Sequence, residues 1–181
     1  MRYTLKAGML YKEDRQAPLI RMKGVFSGPG KNIYLPNEEQ VLRTDIRNLP
    51  VPSGKRKDVR FREYVMLDPN GRTIASGKPD YAEGDDPAVV GWPICRMPKV
   101  DHAAVTIDGK PYALVMHNSQ NYGLKDPAGY TVVQIMHRGL CGGWSIDADE
   151  AFSPGILCGL FAFCRYMEHI SDDADGYQHE Q

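Results

Sequence analysis

Seven basic side chains lie within twenty consecutive positions, in the stretch RTDIRNLPVPSGKRKDVRFR at residues 43–62. Only Asp45 and Asp58 oppose them there. Prolines and a glycine at 50–54 indicate an exposed loop. The segment predicts a surface that attracts anionic lipid headgroups, at about 1 kcal/mol per basic residue, or other phosphate groups. The alternative is an ordinary solvated loop. The basic residues are Arg43, Arg47, Lys55, Arg56, Lys57, Arg60 and Arg62.

Two pairs of residues have the types that catalysis or metal binding requires. His137 and Cys141 stand four positions apart, and a histidine beside a cysteine can generate a thiolate nucleophile. Because HRGLCGGW is typical of a glycine-rich turn after a strand, the sequence favours a structural cysteine. His102 and His117 flank a predicted hairpin turn and would face each other across its two strands. Two histidines without a third ligand make a weak metal site.

Two further stretches resemble ligand-binding loops only in part. FSGPGKNIY places a glycine-rich turn before Lys31, but phosphate-binding loops of that kind are longer and open a helix. We expect an ordinary loop followed by a strand. The acidic residues of PDYAEGDDP lack the spacing of a calcium-binding loop, so we expect a solvated acidic loop. These residues are Asp80, Glu83, Asp85 and Asp86. The sequence predicts no metal and no cofactor.

Composition limits the class of protein. The 181 residues are 42% hydrophobic and 25% charged with a net charge of −1, which is typical of one soluble globular domain and gives no support for nucleic-acid binding. The N-terminal stretch MRYTLKAGMLYKEDR lacks the continuous apolar core of a signal peptide, so a cytoplasmic location is predicted. Four irregularly spaced cysteines are expected to be reduced and buried. They are Cys95, Cys141, Cys158 and Cys164.

The elements that would position these residues include one very apolar helix, FSPGILCGLFAFCRYMEHI. Its eleven uncharged residues from Pro154 to Cys164 fall well short of the roughly 20 that span a bilayer. Ser153 is a good N-cap and Pro154 a good first residue, which predicts a helix over about 154–170. Since apolar side chains project in all directions, the helix must be enclosed on all sides. Gly155 and Gly159 suggest that another backbone approaches it closely.

Strands account for most of the remaining chain. Three apolar segments are interrupted by an Asp-Gly or Asp-x-x-Gly turn, namely YVMLDPNGRTIAS, AAVTIDGKPYALVMH and YGLKDPAGYTVVQIMH, which predicts consecutive hairpins. Further strands are predicted at 3–7, 20–26, 32–35, 40–47 and around 144–146. About twelve short strands and one helix predict a closed antiparallel barrel around the helix. The alternative is a two-layer α+β fold. We expect one domain over 1–171 and a polar tail over 172–181.

The repeated strand and Asp-x-x-Gly turn units, ending in a Ser-Pro-initiated apolar helix after an acidic run, resemble the tubby C-terminal-like superfamily. This superfamily includes the LURP-one-related proteins, the phospholipid scramblases and small bacterial relatives. The resemblance implies a twelve-stranded barrel around a central C-terminal helix. In the tubby branch a basic surface binds phosphorylated inositol lipids, but no motif here carries over that branch's contact residues. The chain also lacks a cysteine-rich lipidation segment, so scrambling activity is not expected.

The sequence therefore favours a non-enzymatic binding module, either free in the cytoplasm or peripheral to a membrane. Its basic segment at 43–62 would bind an anionic lipid headgroup, a phosphorylated ligand or a protein partner. The alternative is an enzyme with a site at one mouth of the barrel, using His137 and Cys141 or the pair His102 and His117. A barrel filled by its own helix leaves no central cavity for a substrate, which favours the first hypothesis.

Overall fold

The computed structural model describes residues 1–26, 28–50, 61–85, 99–139 and 142–169, which form twelve strands and one helix. The elements are β1 (Arg2–Lys6), β2 (Met9–Lys12), β3 (Ile20–Gly24), β4 (Lys31–Tyr34), β5 (Gln40–Leu49), β6 (Phe61–Leu67), β7 (Thr73–Tyr81), β8 (Val100–Ile107), β9 (Lys110–Asn118), β10 (Asn121–Lys125), β11 (Thr131–His137), β12 (Trp144–Ala148) and α1 (Pro154–His169). Each strand pairs antiparallel with its neighbours in sequence, and β1 pairs with β12 to close the ring. The predicted barrel is confirmed, and the two-layer α+β alternative is wrong.

The apolar helix α1 begins as its sequence predicts. The Ser153 hydroxyl accepts the N–H of Ile156 at 3.4 Å, and the Ser153 carbonyl accepts the N–H of Leu157 at 3.1 Å. Side chains on all sides of the helix are buried, which confirms that it is enclosed. Within the described ranges, no helix has both the length and the apolar character needed to cross a membrane.

Two helix glycines are explained by close packing, although not by the backbone contact that the sequence suggests. A Cβ atom at Gly159 would overlap the sulfur of Met66, and one at Gly155 would lie 3.2 Å from Cδ1 of Leu42. Both neighbours are side chains that point inward from the barrel wall. The prediction of a close neighbour is therefore correct, but the prediction that this neighbour is a backbone is wrong. Side chains of the wall fill the space that the glycines leave.

The barrel has two different ends. At the first, which we call the hairpin end, the strand connections are 13–19, 35–39, 68–72, 108–109, 126–130 and the segment 149–153 that leads into α1. At the second, which we call the exit end, the connections are 7–8, 25–30, 50–60, 82–99, 119–120 and 138–143. Because α1 enters the barrel at the hairpin end, its C-terminal turn lies at the exit end.

Turn chemistry at the hairpin end follows the predicted pattern. The carbonyls of Asp68 and Asp126 accept the N–H groups of Gly71 and Gly129, each at 2.9 Å, as expected for tight Asp-x-x-Gly turns. The two-residue connection Asp108-Gly109 has positive φ angles of 48° and 78°. Two successive positive φ angles are the geometry of a tight hairpin, in which glycine is strongly favoured. All three predicted hairpins are confirmed.

One strand ends earlier than its sequence predicts. The prediction of a strand over 20–26 is wrong at its end, because β3 stops at Gly24. Val25 then donates its N–H to the carbonyl of Gly30 at 3.0 Å, which closes a loop before β4 begins. Phe26 is consequently a loop residue. Because β3 ends early, Phe26 belongs to a connection at the exit end and not to the wall of the barrel.

Candidate functional site at the exit end

The basic segment does not form one surface among the residues that the structure describes. Arg43 and Arg47 alternate with the buried residues of β5 and lie on the outer face of the barrel. Arg62 shares its side of β6 with Tyr64 and Met66, which belong to the core, so it lies on the inner face at the exit end. The other candidates lie outside the described residues. They are Lys55, Arg56, Lys57 and Arg60.

Neighbouring acidic groups reduce the local charge of the two outer arginines. Nη2 of Arg43 lies 3.1 Å from Oδ2 of Asp45, and Arg47 lies directly opposite Glu63 in the pairing of β5 with β6. Arg43 is also opposite Leu67, the last residue of β6, which places it nearer the hairpin end. Of the described candidates, Arg62 is near the exit end, whereas the Arg47 guanidinium reaches Oγ1 of Thr73, the first residue of β7, at 3.5 Å, on the side of the hairpin end.

Charge is distributed unequally between the two ends. Each of the six connections at the hairpin end contains an acidic residue, whereas the sequence of the segments that join strands at the exit end contains seven basic and four acidic residues. Of these eleven residues, the structure describes Glu83, Asp85, Lys99 and Arg138. The acidic residues at the hairpin end are Glu13, Asp14, Glu38, Glu39, Asp68, Asp108, Asp126, Asp149 and Glu150. The basic residues of the segments that join strands at the exit end are Lys99 and Arg138, together with Lys55, Arg56, Lys57, Arg60 and Arg96, which lie outside the described residues. The predicted polar tail at 172–181 lies outside the described residues, and its sequence is acidic.

A buried chain of hydrogen bonds fixes the loop between β3 and β4 to the end of the helix. The backbone N–H of Lys31 donates to Oγ1 of Thr44 at 3.1 Å. Oγ1 of Thr44 lies 2.7 Å from the Tyr166 hydroxyl, which donates to the carbonyl of Pro29 at 3.0 Å. Since the tyrosine proton goes to Pro29, we assign the Thr44 hydroxyl as the donor to Tyr166.

This hydrogen-bond chain is shielded from water. Thr44 is 0% exposed and Tyr166 is 4% exposed. Burial raises the pKa of Tyr166 to about 12, although the hydrogen bond with Thr44 opposes the rise. The phenol is therefore neutral at ordinary pH and keeps the proton that it donates to Pro29. The loop that follows β3 has a fixed base.

On the opposite side of the mouth, the last turn of α1 packs into an aromatic cluster. The Arg165 guanidinium lies 5.7 Å from the ring centre of Trp144 and forms an ion pair with Glu168. The Tyr122 hydroxyl donates to Oε1 of Glu168 at 2.5 Å, and both burial and this hydrogen bond raise the pKa of Tyr122. The Phe161 ring centre is 5.1 Å from that of Trp144. The protein's own side chains thus occupy this part of the mouth.

Of the two candidate catalytic pairs, the described residues test only His102 with His117. His137 packs against Trp144 with ring centres 5.0 Å apart, and Cys141 lies outside the described residues. His102 pairs with Val115 rather than with His117, so the prediction that the two histidines face each other is wrong. Nδ1 of His102 instead lies 2.6 Å from Oδ1 of Asp101. Within the described ranges, no three potential metal ligands converge.

Several remaining predictions are resolved by burial. Asp85 is 1% exposed and accepts the N–H of Lys99 at 3.0 Å, so the prediction of a solvated acidic loop is wrong at this residue. Its carboxylate joins the two sides of the connection between β7 and β8. Cys158 and Cys164 are unpaired and buried as predicted, and burial raises the pKa of both thiols. Cys95 and Asp86 lie outside the described residues.

Local sequence patterns do not reveal the residues that organise the exit end. The sequence predicts a strand through Phe26, and neither Thr44 nor Tyr166 belongs to a motif. The sequence does contain one indication that Phe26 lies beside a turn. The SGPG stretch follows it directly, and consecutive loop-forming residues are typical of a turn. The contact between Thr44 and Tyr166 joins residues 122 positions apart, which no local pattern reveals.

Comparison with protein-family models, curated proteins and solved structures finds no match to this chain. The resemblance to the tubby C-terminal-like superfamily stays a prediction. Function must therefore be argued from the two ends of the barrel themselves.

Proposed function

We propose that the protein is a non-enzymatic docking module whose exit end binds an anionic lipid surface. The observation that carries this proposal is the unequal charge of the two ends, with acidic residues in all six connections at the hairpin end. A surface of negative charge attracts the basic connections and repels the opposite end. Charge separation along the barrel axis would therefore orient the protein as well as attract it.

The filled interior supports surface docking rather than catalysis in a central cavity. The helix occupies the barrel along its length, and Trp144, Arg165 and Glu168 occupy part of the mouth. Two exposed basic residues, Lys6 and Arg138, lie at the exit end without an ion pair to any residue that the structure describes. The sequence after α1 is acidic, so the proposal concerns the charge of the connecting segments and not that of the whole chain.

Vesicle binding tests this function. The protein should bind vesicles that contain phosphatidylserine more tightly than vesicles of phosphatidylcholine alone, and added salt should weaken the binding. Reversing three charges in the sequence between β5 and β6, with Lys55→Glu, Arg56→Glu and Lys57→Glu, should weaken it by about a hundredfold or more. A matched control reverses three charges at the hairpin end, with Arg15→Glu, Lys110→Glu and Lys125→Glu.

Two outcomes would contradict the proposal. One is the absence of any salt-sensitive preference for the anionic vesicles. The other is an equal loss of binding in both triple variants, because that would show a response to net charge without a preferred end. If the protein binds soluble inositol phosphates but does not bind phosphatidylserine vesicles, its ligand is a free phosphorylated molecule and not a lipid surface.

A further inference from the structure

The most exposed large apolar side chain of the described residues lies at the exit end. Phe26 has 108% of its reference exposure, while the other highly exposed aromatic, Tyr130, has 73% and lies at the hairpin end. Phe26 follows β3 in the loop that the hydrogen bond between Val25 and Gly30 closes. An exposed phenylalanine contributes nothing to the core, and it loses contact with water only when another surface covers it.

The base of this loop is held in place, although its aromatic side chain is exposed. The Tyr166 hydroxyl donates a hydrogen bond to the carbonyl of Pro29, and Oγ1 of Thr44 accepts one from the N–H of Lys31. Both tethers are buried and connect the loop to the helix and to β5. A fixed base reduces the conformational entropy that the loop would lose on binding a surface.

Basic side chains near the loop define which kind of surface fits it. Lys31 follows the loop directly and has no ion pair with any residue in the described part of the chain. Lys6 and Arg138 are exposed at the same end. An apolar side chain beside basic groups matches the boundary of an anionic bilayer, where headgroup charge lies above hydrocarbon.

We propose that Phe26 inserts into the interfacial layer of an anionic bilayer, while Lys6, Lys31 and Arg138 contact the headgroups. This inference rests on the proposed function and adds an apolar anchor with a defined position. The barrel then stands on the membrane with its exit end down and its hairpin end in the aqueous phase. Insertion of one aromatic ring does not require any strand of the barrel to separate.

Two single substitutions test the anchor. Phe26→Ala should weaken partitioning into phosphatidylserine vesicles by about tenfold, because the burial of one phenylalanine side chain is lost. Tyr130→Ala removes an exposed aromatic from the hairpin end and should change partitioning by less than about twofold. A Phe26→Trp variant reports insertion by fluorescence. After the wild-type spectrum is subtracted, the emission of the tryptophan at position 26 should shift to shorter wavelength with vesicles and be quenched by brominated lipids.

The outcomes separate the anchor from the proposed function. If the wild-type protein binds anionic vesicles and Phe26→Ala binds equally well, the anchor is refuted and the electrostatic function stands. If the wild-type protein binds neutral and anionic vesicles equally and Phe26→Ala abolishes both, the anchor stands and the electrostatic function is refuted. Tryptophan emission at position 26 that does not respond to vesicles refutes the anchor, and an emission change with a soluble protein partner alone assigns Phe26 to a protein interface.

Discussion

The two ends of the barrel are stabilised by different kinds of contact. At the hairpin end, the Asp68 carboxylate accepts the backbone N–H groups of Asn70 and Arg72, so the turn satisfies its own polar groups. At the exit end, the loop before β4 depends on Thr44 and Tyr166, which belong to a distant strand and to the helix. The Asp68 turn is therefore self-contained, whereas the loop before β4 is coupled to the interior.

This difference has a functional consequence. A self-contained turn such as that at Asp68 needs no contact with the helix to satisfy its polar groups. The exit end, in contrast, holds its exposed aromatic on a base that the buried end of the helix supports. A binding surface on such a base is positioned by the core of the protein. Perturbations of the core should therefore affect binding at one end more than at the other.

The largest expected effect comes from a substitution in the helix, because both ends of the barrel unfold if the helix is no longer packed inside it. Leu160 is 0% exposed near the middle of α1. Leu160→Asp would place a charge there without a partner, at a cost of several kcal/mol against a total stability of about 5–15 kcal/mol. We expect loss of cooperative thermal unfolding and of near-ultraviolet circular dichroism. Leu160→Met is the control, with an expected cost below about 1.5 kcal/mol, and a normally melting Leu160→Asp variant would contradict enclosure of the helix.

A smaller effect should distinguish the two ends. Thr44→Val removes the hydroxyl between Lys31 and Tyr166 and should cost about 1–3 kcal/mol, because buried polar groups lose their partner. Asp68→Ala removes the acceptor of two exposed N–H groups and should cost about 1 kcal/mol. Urea denaturation measures both losses. Only Thr44→Val should also weaken vesicle binding, and equal vesicle binding by the two variants would show that the Phe26 loop does not depend on its buried base.

The sequence predicted the hairpin end well because its determinants are local. Asp108-Gly109 and the Asp-x-x-Gly turns specify their own geometry within four residues. The helix was predictable for a similar reason, since an apolar surface on all sides requires enclosure and Ser153 with Pro154 specifies the start. The closed barrel followed from the number of hairpins and from the need to enclose that helix.

The exit end was less predictable because its determinants are distant or depend on register. Tyr64, Val65 and Met66 form a continuous apolar run, and all three are buried. Without alternation, the sequence does not reveal which side of β6 faces inward, so Arg62 could not be separated from Arg43 and Arg47. The hydrogen-bond chain through Thr44 requires the three-dimensional arrangement of β4, β5 and α1.

The smallest expected effect compares two tyrosines beneath the exit end. Tyr64 is 0% exposed, and its hydroxyl has no hydrogen-bond partner within the described structure. Its ring centre lies 5.4 Å from that of Tyr166 and 5.5 Å from that of Phe163. Burial raises the pKa of Tyr64 strongly, so the hydroxyl remains protonated. Tyr64→Phe keeps the ring contacts and removes a polar group that has lost its hydration.

We therefore expect Tyr64→Phe to leave the free energy of unfolding unchanged or to raise it by up to about 1 kcal/mol. Tyr166→Phe removes a hydroxyl that is bonded to Thr44 and Pro29, and it should lower the free energy of unfolding by about 1–2 kcal/mol. Urea denaturation of both variants measures the difference. An equal loss in the two would mean that the Tyr64 hydroxyl has a partner in solution, such as a buried water. A neutral Tyr64→Phe beside a destabilising Tyr166→Phe would locate the polar support of the exit end in the hydrogen-bond chain to the Phe26 loop.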